Sequence, residues 1–517
     1  MKKYYFLFIA ILFATLFTGL QANVTLPSII SNNMVLQQNT TVTFWGWADA
    51  GEQVTITASW NSARKVYAVA DAKGNWKANL ITPRAGGPFK ITIKGKNKID
   101  LTNVLTGEVW LCSGQSNMQF TMGRKEKSWR TGVLNYEKEI AAANYPKIRL
   151  FQVDQKTAAE PQKDVSGKWT ECTSATVYDF SAVAYYFGRE LHRKLNVPIG
   201  LINSSWGGTP AESWTRKEVI ESDSICRPIL ARYDQGVKDY PRLYKVYEDT
   251  LAKWKKDVAE GRITGDQAKK APQAPMKPLD SKQPCVLYNA MIAPLIPYSI
   301  KGVIWYQGEQ NAQRAWQYRK LFPNMIANWR SDWKEGNFPF YFVQIAPHRS
   351  QNPEIREAQL MALRSVLNTG MAVITDSGDS LNIHPLNKEV VGHRLALWAF
   401  AKTYGFKNLV YSGPLYKSMK VEGNKIIISF DYVDGGLVAK GGALTEFTIA
   451  GEDRQFVPAN AVISGNNVVV SSPSVKNPVA VRFAWKYVPK PNFFNKVGLP
   501  ASPFRTDVWP GATFGRL

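Results

Sequence analysis

The feature that most limits how this chain can fold begins at Gly107. From there to Lys402, short apolar runs alternate with helix-length amphipathic segments. Runs at 109–112, 199–202, 301–306, 339–345 and 371–375 have the length of buried strands. Segments at 181–195, 315–333, 354–367 and 388–402 carry helical periodicity; in the first, Val183, Phe187, Leu191 and Leu195 recur at spacing four. Such alternation buries its apolar residues when the strands lie parallel and helices cover both faces. The expectation is an α/β domain over 106–407.

The flanks read differently. Residues 23–105 carry short alternating runs, at 41–45, 53–58 and 89–93, separated by Gly, Asn, Asp and Pro. That spacing predicts a small β-sandwich-like domain. Beyond 407 the chain turns β-rich again through 517, with strands expected at 425–430, 445–449, 467–471 and 479–485. Within the α/β region, 227–283 is helical in pattern and rich in Lys, Asp, Gln and Pro, and reads as an insertion over the core. Two or three domains suit a chain of 517 residues.

Residues 1–22 read as a signal peptide: Lys2 and Lys3, an uncharged apolar run, then Gln21-Ala22 before a mature start near Asn23. Export to the periplasm or the extracellular space is the expectation. No later segment is apolar enough to suggest stable membrane insertion. The net charge is +23, and +21 without Lys2 and Lys3, but the basic residues are spread along the chain and no nucleic-acid motif accompanies them. A solvated basic surface is the favoured reading, and an anionic saccharide is compatible with it. Four cysteines, Cys112, Cys172, Cys226 and Cys285, include no CxxC pair, so no metal site is expected. A bridge from Cys172 to Cys226 or Cys285 is open in an exported protein, whereas Cys112 lies in an apolar strand and reads as a buried thiol.

The unusual polar residues fall just past expected strand ends. They are Ser113-Gly-Gln-Ser-Asn-Met118, Asn203-Ser-Ser-Trp-Gly-Gly-Thr209, Gln307-Gly-Glu309 with Asn311, and Asp376-Ser-Gly-Asp379 followed by Ile383-His-Pro385. Open α/β sheets bind ligands along that edge, so four segments converge on one crevice. An ester hydrolase needs a nucleophile, a base and oxyanion donors. Ser116 follows Gly114-Gln115 in a tight turn; alone, it reads as readily as a turn or cap serine. Of four histidines, His192 and His393 lie in helices, His348 follows a strand, and His384 precedes Pro385, which holds its backbone extended. His384 is the best base, with His348 its rival. Gly207 or Gly208 can present a bare amide to an oxyanion, Gln307 a side-chain amide, and Ser116 its own N–H.

These segments resemble the sialate O-acetylesterases and related carbohydrate acetylesterases of the SGNH hydrolase superfamily. The matching motifs are Gly107-Glu-Val-Trp-Leu-Cys-Ser-Gly-Gln-Ser-Asn-Met118, Trp206-Gly-Gly-Thr-Pro-Ala-Glu-Ser-Trp214, Leu287-Tyr-Asn-Ala-Met291, Gly302-Val-Ile-Trp-Tyr-Gln-Gly-Glu309 and Ile383-His-Pro-Leu-Asn-Lys388. The resemblance implies a flavodoxin-like parallel sheet, Ser116 as nucleophile and His384 as base. It also implies an oxyanion hole from Ser116, Gly207 or Gly208, and Gln307. The implied substrate is an O-acetylated saccharide, best a 9-O-acetyl sialic acid with acetylated xylan or another glycan as competitor, and no cofactor is implied. One departure stands out. Many relatives carry Asp two residues before the histidine, where this chain has Asn382; Asp379, or a backbone carbonyl, is left to orient the ring. Two rivals rank lower: a glycosidase drawing on Glu108, Glu212 and Glu309, and a non-catalytic glycan-binding protein. Neither gives Ser116 and His384 a role.

Overall fold

The computed structural model describes residues 23–125 and 131–517; the leader expected at 1–22 lies outside them. At the centre run β1 (Lys98–Gly114), β2 (Tyr145–Gln152), β3 (Trp169–Cys172), β4 (Ile199–Ser205), β5 (Gly302–Tyr306), β6 (Phe340–Gln344) and β7 (Thr369–Val373). Their order across the sheet is β7-β6-β5-β1-β4-β2-β3, and every neighbouring pair is parallel except β2 with β3. The chain enters at β1, lays β2 and β3 farther out on one side, returns to place β4 between β2 and β1, then crosses to β5 on the other side. The reversal at β1 opens a crevice at the carboxyl ends of β1 and its neighbours.

Helices cover both faces: α2 (Ala182–Leu195) and α6 (Lys388–Trp398) on one, α4 (Ala315–Trp333) and α5 (Pro353–Ser365) on the other. The aromatic contacts show why. Trp110 of β1 packs on Phe187 of α2 with centroids 5.0 Å apart, and Tyr341 packs on Trp398 of α6. Trp305 pairs in register with Ser113, three residues past Trp110, so it points to the opposite face, where it meets Phe322 and Trp329 of α4.

The two outermost strands on the β4 side, β2 and β3, escape the sequence pattern. The apolar run of β2 is interrupted by Arg149, which is buried and donates to the Pro146, Asn33 and Asn103 carbonyls. The boundary expected at 105/106 also falls inside one continuous strand. The first half of β1 pairs antiparallel with Gly86–Lys94 and parallel with Val35–Gln37, and its second half lies between β4 and β5. The amino-terminal strands and the α/β sheet are therefore physically joined through β1. Strands Thr41–Trp47 and Asn75–Ile81 pair separately, with every second residue buried, as a sandwich layer requires.

The carboxyl-terminal region is antiparallel β around buried Phe430, Phe447, Phe483, Phe493 and Phe504. It docks on α5: Arg505 pairs with Glu357 at 2.6 Å, and the Thr513 amide donates to Glu354 at 3.1 Å. The 227–283 segment is dominated by α3 (Pro228–Ala259), a helix whose only buried residue is Ile229. The end of this segment returns to the crevice, where a carbon built on Gly208 would lie 3.8 Å from Lys282 Cε. All four cysteines are free and buried, so the Cys172 bridge considered above does not form.

β1 ends at Gly114, with φ +137°; a Cβ there would stand 2.2 Å from the Tyr306 carbonyl oxygen. Neither the backbone angle nor the space admits a side chain. Gly114→Ala is expected to destabilise the protein by about 3 kcal/mol, read as a lowered melting temperature.

Candidate active site

Ser116 opens the single turn of α1 (Ser116–Gln119), directly past β1. Its Oγ lies 2.8 Å from His384 Nε2. The two residues come from opposite ends of the α/β region and meet at the carboxyl edge of the sheet. His384 sits in the loop between β7 and α6, where Asn382 Oδ1 accepts the His384 backbone N–H at 2.9 Å. Pro385 behind it is buried.

The residues around Ser116 each grip a different loop. The Gln115 amide donates to the Tyr306 carbonyl at 3.0 Å, and its side-chain oxygen accepts from the Gly308 and Gln310 amides. Asn117 Nδ2 donates to Glu309 Oε1 at 2.7 Å and to the Ile383 carbonyl at 3.1 Å, while its Oδ1 accepts from Lys388 Nζ. Gln119 Oε1 accepts from the Gly207 amide at 2.7 Å. A Cβ on Gly207 would come 3.1 Å from Ser116 Cβ, so the glycine lets the 206–209 turn close over the serine.

Two expected donors are occupied by these bonds. Gln307 is fully buried; its Nε2 donates to Asn311 Oδ1 at 2.7 Å and to the Thr209 carbonyl at 3.3 Å, and its Oε1 accepts from Tyr318. Both amide protons brace the crevice wall, so Gln307 is a framework residue here and offers no free donor to an oxyanion. Gly207 gives its proton to Gln119. Gly208, with φ +73°, and the first amide of α1 lie in the same corner without such a bond among the described residues.

Asp379 is not brought to the imidazole as an orienting acid. It is exposed, and its carboxylate caps the Leu381 amide at 2.8 Å. Its field acts on His348, and Lys388 and His348 are among the groups that act on His384. His348, the rival base, has its Nδ1 2.8 Å from Ser350 Oγ within its own turn. Arg394, a candidate clamp for a sugar carboxylate, is buried and donates twice to Asp376, at 2.6 and 2.8 Å. Of the carboxylates considered for a glycosidase, Glu108 lies partway along β1, about 20 Å before its end at Gly114, where it accepts from Gln38 and Tyr404.

Burial, reinforced by the Lys388 ammonium and then by His348, pulls His384 from 6.5 down to about 4. The ring is therefore neutral at pH 7 and able to accept a proton. Burial also pulls Lys388 down to about 7, opposed by Glu309, and raises the Glu309 carboxyl.

The family model for carbohydrate esterases described as sialic acid-specific acetylesterase matches residues 106–265 and 280–399. The chain belongs to this family. It is a carboxylic ester hydrolase. Sialate O-acetylesterase from Rattus norvegicus is 30% identical over 539 residues, covering 93% of this chain and 94% of the relative. The enzyme of that name from Homo sapiens is 31% identical over 537 residues, covering 94% and 93%. Among solved structures, a carbohydrate acetylesterase from Xanthomonas citri superposes with a TM-score of 0.78 at 33% identity, covering 94% of this chain and all of that one.

In this acetylesterase chain, sequence reasoning missed Gln115, Asn117, Gln119 and Lys388 as site residues. A signal was present: the amide-rich run Gln115-Ser-Asn-Met-Gln119 follows a strand that is apolar through Cys112. Side-chain amides there must bond to something once buried. The His384 imidazole is expected to titrate with a midpoint near 4, well below the ordinary 6.5, when followed by NMR in the folded acetylesterase. A midpoint at 6 or above would show that neither burial nor Lys388 acts on it as described.

Proposed function

We propose that this protein is an exported SGNH-type carbohydrate O-acetylesterase, with a flavodoxin-like sheet, working through a Ser116–His384 acyl-enzyme mechanism. The observation that carries the reading is the 2.8 Å hydrogen bond between Ser116 Oγ and the neutral His384 Nε2, at the switch point of a parallel sheet. The ring proton then resides on Nδ1. As Ser116 attacks the acetyl carbonyl, Nε2 takes the hydroxyl proton, and the imidazolium passes it to the departing sugar oxygen. Water attacks the acetyl-enzyme with the same base, releasing acetate. The Ser116 and Gly208 amides are the donors for the tetrahedral oxyanion, each worth about 10²–10³ in turnover. No step calls for a metal or an organic cofactor. Asn382 holds the His384 backbone, and Asp379, whose carboxylate caps the Leu381 amide, is not the group assigned to orient the ring.

The substrate reading is an O-acetylated sialic acid, drawn from the names of the relatives. With Arg394 committed to Asp376, a further cation at the crevice among the described residues is Lys282, exposed beside Gly208 at the end of the 227–283 segment. Its ammonium suits a sugar carboxylate. No helix among the described residues is long and apolar enough to cross a membrane, which is compatible with export in soluble form.

Ser116→Ala and His384→Ala are each expected to lower acetate release by about a thousandfold or more without changing the melting temperature. Near-wild-type turnover in either variant would remove the mechanism. Lys282→Ala is expected to raise KM several-fold for O-acetylated sialic acid and to leave acetylated xylan unaffected. Equal rates on both substrates in wild type and variant would point to a neutral glycan instead.

A further inference from the structure

Directly beneath the Ser116–His384 pair lies a polar unit that the mechanism above does not use. Lys388, the first residue of α6, is completely buried. Its ammonium donates to Asn117 Oδ1 and rests over two rings, 4.6 Å from the Phe120 centroid and 5.5 Å from that of Tyr306. Glu309 is also buried; its Oε1 accepts from Asn117, while its Oε2 has no hydrogen-bond partner among the described residues. The Tyr306 hydroxyl is likewise buried and unpartnered. A cation and a carboxylate are thus taken out of water and joined through one amide. Burying such charges is costly, and a packing role alone would be filled better by apolar side chains.

Asn117 is the residue that gives this arrangement a function. It follows Ser116 in the chain, so its side chain is fixed to the nucleophile's own turn. Its Nδ2 reaches the Ile383 carbonyl, one residue before His384. Its Oδ1 reaches Lys388, four residues after His384. The histidine loop is therefore gripped on both sides from the serine turn.

We propose that Asn117, Lys388 and Glu309 form a positioning unit that anchors the histidine loop to the serine turn and so fixes Ser116 and His384 against each other. The inference rests on the Ser116–His384 reading. The loop is the weak side of the site: Ser116 follows a strand paired on both edges, whereas residues 376–387 form neither helix nor strand. A displacement of about 1 Å in such a pair costs about a hundredfold in rate.

The unit also has an electrostatic consequence. Among the described residues, Lys388 from α6 and His348 from the segment after β6 act on His384, and Glu309, from the segment after β5, acts on Lys388. The Lys388 ammonium disfavours a proton on His384, so removing that charge must raise the pH at which the base is lost. Burial remains, and the limb stays below the ordinary imidazole value.

The test is the pH profile of kcat/KM for 4-nitrophenyl acetate with wild type, Lys388→Met, Asn117→Ala and Ser116→Ala, each checked by thermal melting. Lys388→Met is expected to move the acid limb upward by about one pH unit. Asn117→Ala, which changes no charge, is expected to lower kcat about tenfold or more with KM little changed and the acid limb in place. An unmoved limb in folded Lys388→Met, or wild-type turnover in Asn117→Ala, overturns the positioning unit. If Lys388→Met does not fold, Asn117→Ala decides alone. An active Ser116→Ala overturns the serine–histidine reading itself. An inert Ser116→Ala beside wild-type-like Lys388→Met and Asn117→Ala overturns only the unit.

Discussion

The site depends on the pairing of one strand. Lys98–Gly114 is held by the amino-terminal strands along its first half and by Ile199–Ser205 and Gly302–Tyr306 along its second. Its carboxyl end is thus hydrogen-bonded on both edges at the point where the sheet reverses direction. Backbone in that setting opens only with large parts of the fold. Ser116, two residues beyond, inherits that rigidity through Gly114, whose contact with Tyr306 leaves no room for a side chain. Shared use of this strand also joins the amino-terminal β region to the central parallel sheet.

His384 is placed by different means. It lies outside regular structure, and short bonds hold its loop: Asn382 to its own amide, and Asn117 to Ile383 and Lys388. Its ring is partly buried and neutral, ready to accept a proton, and the buried Glu309 acts on the neighbouring Lys388.

Much of this was legible in the sequence because it rests on periodicity and position. Alternating apolar runs and amphipathic segments outlined five of the parallel strands and their helices. The polar motifs after those strands pointed to Ser116, His384 and the Gly207-Gly208 turn as neighbours. The strand Tyr145–Gln152 was hidden because a buried Arg149 breaks the apolar run, and tertiary bonds to Asn33 and Asn103 satisfy it; Trp169–Cys172 is only four residues long. The hydrogen-bond partners were hidden for a related reason. Gln307 and Gly207 have the right chemistry for an oxyanion, but only the folded chain shows their protons taken by Asn311, Thr209 and Gln119. Asp379 was the nearest upstream acid in sequence, yet it caps its own turn and faces solvent. Lys388 is only the first residue of an expected helix in the sequence; its burial and its bond to Asn117 appear in the folded chain.

The most direct measurement is mass spectrometry of the protein after reaction with a serine-directed fluorophosphonate. A single adduct per chain, on the peptide carrying Ser116 and absent from His384→Ala, is expected. Labelling at another residue, or no labelling while acetate release from O-acetylated sugar continues, would contradict a nucleophilic Ser116 activated by His384.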